Sequence, residues 1–138
     1  FELTVEAMPT KTSIALGGAS MAHHPEVQHQ VAEMRMALDA NEAMLSKVAT
    51  DWASGVAHED WPIRLLALRH RVINESFGVV DRALDLSGGA AAFKRNRLES
   101  LFRDARMGRF HPGNSLLAHE IVGKLSLGVD PDAEKRWG

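Results

Sequence analysis

Between Lys94 and Arg109 the chain carries six cations, Lys94, Arg95, Arg97, Arg103, Arg106 and Arg109, against only Glu99 and Asp104. The net charge of the whole chain is −2, so the rest of it is acidic and the strip is a local feature. A basic strip on an acidic body fits an anionic partner such as a nucleotide cofactor, a coenzyme phosphate or a nucleic acid. Glu–Arg pairing along one solvated helix face accounts for it equally well. Nucleic acid is the least favoured partner, because no recognition-helix or aromatic-platform pattern accompanies the charge. Upstream of the strip, Gly88-Gly89 precedes four uncharged residues, Ala90 to Phe93. Paired glycines after a helix act either as a stop requiring positive φ or as a place where backbone amides approach a phosphate. Spacing alone favours the stop.

Seven histidines raise the question of a metal. His23, His24 and His29 lie close together, but no His-Glu-x-x-His spacing occurs, and the neighbours His119 and Glu120 cannot share one helix face, so no metal site is expected. His111 falls in a glycine- and proline-rich loop, where a side chain is freer for acid–base work than in a core. There is no Gly-x-Gly-x-x-Gly, no phosphate-loop lysine and no nucleophile elbow, so neither a self-contained nucleotide fold nor a hydrolytic triad is supported. The absence of cysteine removes disulfides, thiolate ligands and cysteine nucleophiles, and leaves a cytoplasmic location as the expectation. No apolar run approaches ~18 residues and no basic-then-apolar leader opens the chain, so membrane insertion is not expected. Phe1 already stands inside a helical pattern, which fits a chain with a portion missing before it.

These residues need a scaffold, and 138 residues suffice for one domain. Tyrosine is absent, aromatics are 6%, and no alternating apolar run is bounded by turn signals, so the fold class expected is all-α. From Pro25 to about Trp52, the residues Val27, Val31, Met34, Leu38, Leu45, Val48 and Trp52 recur at three- and four-residue steps, interrupted by Asn41; this predicts one buried stripe. A second long helix starts at Asp60 or Trp61 and carries Ile63, Leu66, Ile73, Phe77, Val80 and Leu84 to Gly88-Gly89. A short connection between rods of matched length implies an antiparallel pair within an up-and-down four-helix bundle. Shorter helices are predicted from Arg97 to about Met107 and from Ser115 to about Leu127, the latter with Asn114 as N-cap. Phe1 to Met8 reads as the last turns of a helix stopped by Pro9. Residues 1–130 form the bundle, and residues 131–138 a polar tail.

The order of three pieces is specific. A long helix closing in Leu86-Ser87-Gly88-Gly89, then Leu98-Glu99-Ser100-Leu101-Phe102-Arg103-Asp104-Ala105-Arg106, then Phe110-His111-Pro112-Gly113-Asn114 opening a last helix, resembles the C-terminal helical domain of the acyl-CoA dehydrogenase family. The similarity runs from His24-Pro25-Glu26-Val27-Gln28 to Gly128. It implies an FAD enzyme with an N-terminal helical domain, a middle β domain and a C-terminal bundle, assembled as a homo-oligomer, dimer or tetramer, or as a hetero-oligomer. It further implies that this segment supplies subunit interface, part of the FAD cradle and one wall of an acyl pocket. By that resemblance Gly88 and Gly89 lie against the FAD pyrophosphate, Asp85 occupies the position of a cofactor-binding glutamine, and Asn114 that of a threonine near the adenine. Pro112 stands where many members place the catalytic glutamate, and His111 beside it is the candidate catalytic residue.

The function implied first is α,β-dehydrogenation of an acyl-CoA thioester, with FAD as cofactor and acyl-CoA as substrate. The second is a flavin-dependent monooxygenase of the same fold, in which a histidine in this loop assists the oxygen chemistry and no α-proton base is needed, as Pro112 would allow. The third is a non-catalytic assembly subunit that kept the bundle.

Overall fold

The computed structural model describes residues 1–111 and 113–132. Pro112 and positions 133–138, the greater part of the expected tail, lie outside the described residues. Five helices follow in order: α1 Glu2–Ala7, α2 Pro25–Ala53, α3 Trp61–Ser87, α4 Arg97–Met107 and α5 Ser115–Ser126. Single 3-10 turns stand at Ile14–Leu16, Met21–His23, Gly89–Ala92 and Gly108–Phe110. Among the described residues there is no strand, only an isolated bridge between Thr12 and Ser20.

The helix ends follow local chemistry. Pro25 opens α2 where its missing N–H costs nothing, and His24 Nδ1 accepts the Glu26 N–H at 3.1 Å. Beyond α2, Gly55 takes φ +67° and turns the chain. Gly88 ends α3 with φ +78°, its N–H donating to the Leu84 carbonyl at 2.8 Å, so the helix-stop reading of this glycine holds. Asn96 caps α4 through Leu98 N–H, and Asn114 caps α5 by accepting from Leu116 and Leu117 N–H.

Helix α3 is the rod on which the others pack: α1, α2, α4 and α5 all meet it. Its 27 residues make it roughly 40 Å long. Residue pairs fix the directions. Trp52 meets Trp61 edge-on at 5.1 Å, and Met34 shares the core cluster with Val79, so α2 runs antiparallel to α3. Leu98 lies in the same cluster as Ala83, Phe77 meets Phe102 at 5.3 Å, and Gly108 abuts Ile73, so α4 is antiparallel as well. Asn74 approaches Ser115 and the His70 ring meets that of His119 edge-on, which gives α5 the same sense. Helices α4 and α5 thus pack along successive parts of α3, α4 toward its C-terminal half and α5 toward its N-terminal half. With α1 running parallel to the C-terminal half of α3, the four sides of an up-and-down bundle are present. The expected all-α, up-and-down bundle is thus the observed arrangement, with α4 and α5 both packed on α3.

The sealed core is small and sits toward the C-terminal half of α3. Met34, Val79, Ala83, Ala91 and Leu98 form it, with Phe1, Leu38, Leu84, Leu86 and Leu101 packed around. The predicted α2 stripe is buried only in its first part. Val27 and Met34 are sealed, whereas Leu45 is 50% and Trp52 61% exposed. The reason is geometric: α1 begins beside Val72 and Ser76 and runs toward Ser87, so the end of α2 that faces the start of α3 has no rod on its other flank. At that end Asp51 accepts from Lys47 Nζ at 2.5 Å and meets His58 Nε2 at 3.1 Å. These hydrogen bonds, Lys47's first, hold the Asp51 carboxyl below the usual range.

Truncating the sealed and the open part of one stripe separates them energetically. Met34→Ala is expected to cost ~2–5 kcal/mol, with Leu38→Ala at the lower end of that range. Leu45→Ala should cost under ~1 kcal/mol. Urea unfolding of the three variants measures this, and equal losses would show that the α2 faces are assigned wrongly.

Candidate functional site

The residues singled out in the sequence fall into two groups. The first is the end of α3. Asp85 is exposed on the last turn, Gly88 is half-buried and Gly89 is exposed. A Cβ on Gly89 would meet nothing within 4 Å, so the bend lies open at the surface. Lys11, from the loop after α1, reaches across to this end and donates from Nζ to the carbonyls of Leu86 at 2.8 Å and Ser87 at 3.1 Å. A cation here satisfies carbonyls left over at a helix C-terminus and offsets the partial negative charge they carry. The same ammonium lies 3.8 Å from where a Gly88 Cβ would stand. Next to it opens a concavity of about 470 Å³ whose lining includes Lys11, Ser87, Arg95, Asn96 and Arg97, and no carboxylate. Asp85 is not part of that lining.

The basic strip therefore divides by role. Arg95 and Arg97 turn toward this concavity, Arg95 also lying over the exposed Phe93 ring at 5.6 Å and Arg97 donating to Ser100 Oγ. Arg103 pairs with Glu99 at 2.6 Å, the local neutralisation that one reading of the strip anticipated. Arg106 and Arg109 lie over the Phe77 ring at 5.7 and 5.0 Å, which fastens the end of α4 to α3 by cation–π attraction.

The second group surrounds the break between α4 and α5. His111 is exposed with extended backbone, and Pro112 beside it, the position expected to lack a catalytic carboxylate, lies outside the described residues. The Asn114 side-chain oxygen is used in capping α5. Arg69 of α3 ties the loop down by donating from Nη1 to the Gly113 carbonyl, and its Nη2 is buried with no partner among the described residues. Next along α3, Asn74 Nδ2 donates to the His70 carbonyl at 2.8 Å and lies 3.3 Å from His70 Nδ1 and 3.5 Å from Ser115 Oγ. The His70 and His119 rings meet edge-to-face at 4.6 Å. Burial first, then the neighbouring His119 and the cations Arg71, Arg109 and Arg69, push the His70 pKa below 6.5.

The two groups are separate. Measured along α3 from the level of Arg69 and Asn74 to Gly88, they stand roughly 20–30 Å apart. Asp85, Gly88 and Gly89 belong together; His111 and Asn114 belong to the other end. Sequence reasoning missed Lys11, Arg69, His70 and His119 as parts of these sites. Lys11 sits in a Thr- and Ser-rich loop 75 residues from the carbonyl it caps, and no local pattern connects them. Among the described residues no group of three or more potential metal ligands occurs, and no helix is long and apolar enough to cross a membrane.

Comparison with known proteins gives consistent matches. Residues 1–115 match the family described as acyl-CoA dehydrogenase, C-terminal domain. The oxygenase subunit HsaA of a flavin-dependent monooxygenase from Rhodococcus jostii (strain RHA1) is 29% identical over 119 residues, which cover 83% of this chain and 31% of that protein. The protein of the same description from Mycobacterium tuberculosis (strain H37Rv) is 26% identical over 133 residues, 92% of this chain and 34% of that one. Among solved structures, an acyl-CoA dehydrogenase from Slackia heliotrinireducens superposes with a TM-score of 0.79 at 20% identity, over 92% of this chain and 32% of that one. XiaF from a Streptomyces species, in complex with FADH2 and glycerol, superposes with a TM-score of 0.78 at 24% identity, over 97% and 35%. These two likenesses establish the fold. The chain spans about a third of the length of each relative.

The His70 environment makes a signed prediction. Because the folded state favours neutral His70, stability is fully present above pH 6.5 and declines as the pH falls below it. Titration of the His70 ring followed by NMR should give a midpoint below 6.5, and His119→Ala should raise it only in part, since burial is the larger cause. A midpoint at or above 6.5 in the unmodified chain would contradict this account.

Proposed function

This chain belongs to the acyl-CoA dehydrogenase family as a C-terminal domain, and from that premise we propose that it is part of a flavin-dependent oxidoreductase. Residues 1–130 are its C-terminal bundle and residues 131–138 a tail. The observation that carries the reading is the concavity beside Gly88 and Gly89, where Lys11, Arg95 and Arg97 gather on one open surface without a carboxylate. Such a donor set fits the phosphate end of FAD: three cations, two glycines without side-chain bulk, and a 3-10 turn at Gly89–Ala92 whose first amides have no acceptor within the turn. Lys11 also offsets the negative end of α3, which would otherwise repel a phosphate placed there. Lying at the rim of the chain, this half-site is suited to a cofactor held largely by another protomer of an oligomer. A cytoplasmic location belongs to the same proposal.

Of the two enzymatic readings, monooxygenation has the better support. The relatives from Rhodococcus and Mycobacterium are described as oxygenase subunits of a flavin-dependent monooxygenase, and the loop after α4 offers His111 next to a proline rather than a glutamate. Bound flavin supplies the electrons that reduce dioxygen. This chain's residues orient and hold protons: Arg69 fixes the loop through Gly113, Asn114 starts α5, and the His111 imidazole gives or takes a proton at the reacting centre. The second reading, α,β-dehydrogenation of an acyl-CoA thioester, needs a carboxylate base from outside this loop, and its support is the family itself.

The test uses the complete protein containing this chain. It is expected to bind FAD, to consume oxygen when given reduced flavin and an oxidisable substrate, and to lose ~10²-fold or more in rate with His111→Ala. Flavin reduced anaerobically by an acyl-CoA would instead establish the dehydrogenase, and no flavin binding at all would leave an assembly subunit. The double variant Lys11→Ala, Arg97→Ala should weaken FAD binding about tenfold or more, and unchanged affinity would remove the assigned half-site.

A further inference from the structure

A groove of about 350 Å³ runs between α3 and α5, lined chiefly by Leu66, Ala67, Ala118 and Val122, with His70 and His119 as its polar groups and Arg71 at its edge. The protonation of the two rings follows from their partners. His119 Nδ1 lies 2.5 Å from the Ser115 carbonyl oxygen, which can only accept, so Nδ1 carries the proton and Nε2 keeps its lone pair. Asn74 Nδ2 donates to the His70 carbonyl, which fixes the orientation of that amide, and the same nitrogen is 3.3 Å from His70 Nδ1. His70 Nδ1 is therefore the acceptor and His70 Nε2 bears the hydrogen. One ring is left with a donor and the other with an acceptor, while both Nδ1 atoms are already engaged. A divalent metal would need lone pairs on both Nε2 atoms, so this pair is poorly arranged to chelate one.

We infer that the α3–α5 groove is a binding site for a small, mainly apolar molecule bearing one hydroxyl group, which accepts from His70 Nε2–H and donates to His119 Nε2. A hydroxyl is the simplest group with both capacities on one atom, and the aliphatic walls accommodate the hydrocarbon that carries it. A carboxylate would find the His70 donor but would face the His119 lone pair, and a hydrocarbon would engage neither ring atom. The groove lies beside the loop that Arg69 anchors, yet the inference does not rest on flavin chemistry and its test contains no flavin.

Cyclohexanol is the probe, with methylcyclohexane of similar shape and cyclohexanecarboxylate as comparisons, titrated near pH 7.5 into the complete, flavin-free protein containing this chain, labelled selectively at methyl groups and histidine nitrogens. The methyl signals of Ala67, Ala118 and Val122 report occupancy, and the Nε2 nitrogen shifts of His70 and His119 report hydrogen bonding. Saturable methyl shifts with cyclohexanol, movement of both Nε2 signals, and binding about tenfold or more tighter than either comparison are expected. His119→Leu, on an exposed position, should keep the helical circular dichroism while removing the preference for the alcohol. Equal binding of cyclohexanol and methylcyclohexane, a stronger response to the carboxylate, unchanged preference in His119→Leu, or no saturable shift with cyclohexanol would each overturn the assignment.

Discussion

The packing of every other element against one rod, α3, is the constraint from which the rest follows. Helices α1, α2, α4 and α5 meet it along its length, and the sealed cluster of Met34, Val79, Ala83, Ala91 and Leu98 lies where three chain segments converge on it. A rod packed along its length in this way still offers its ends and the breaks between its partners. Both candidate half-sites occur at such places, one at the C-terminus of α3 and the other beside the interruption between α4 and α5. The helix end carries its own electrostatic demand, unpaired carbonyls with partial negative charge, and Lys11 meets it.

The small sealed core has a counterpart on the surface. Leu45, Trp52, Met107, Phe110 and Leu116 are all at least half exposed, and of these Leu45 and Trp52 belong to the α2 stripe expected to be buried. Apolar side chains exposed in this way leave parts of the helical faces open at the surface of the described residues. The aromatic ring of Phe110 is partly covered by Arg106, a contact that adds some attraction at an exposed site without burying the ring.

Separation of the two half-sites along α3 bears directly on function. A single catalytic centre cannot draw on Gly88 and His111 through short side chains when roughly 20–30 Å lies between them. On either side of Pro112 the contacts are fixed: Arg109 over Phe77, Gly108 against Ile73, Arg69 on Gly113, and Asn114 capping α5. The lowered pKa of His70 follows from the same crowding, because burial first, then His119 and the nearby arginines, disfavour its charged form.

Periodicity and end signals in the sequence determined the all-α class, the spans of the five helices to within a residue or two, the stop at Gly88 and the cap at Asn114, since each is decided by residues a few positions apart. The ordered pieces around Gly88-Gly89 and His111 were also enough to indicate the family. What local rules could not convey was how far along each stripe a neighbour extends. The exposure of Leu45 and Trp52 is set by where α1 begins relative to α3, and a stripe looks the same whether or not a second rod covers it. Nor could spacing connect Lys11 to the Leu86 carbonyl, His70 to His119, or Arg69 to Gly113, because charge–dipole, ring and hydrogen-bond contacts depend on distance in space. Only packing against α3 brought those partners together, and only packing showed that the glycine pair and His111 occupy different ends of it.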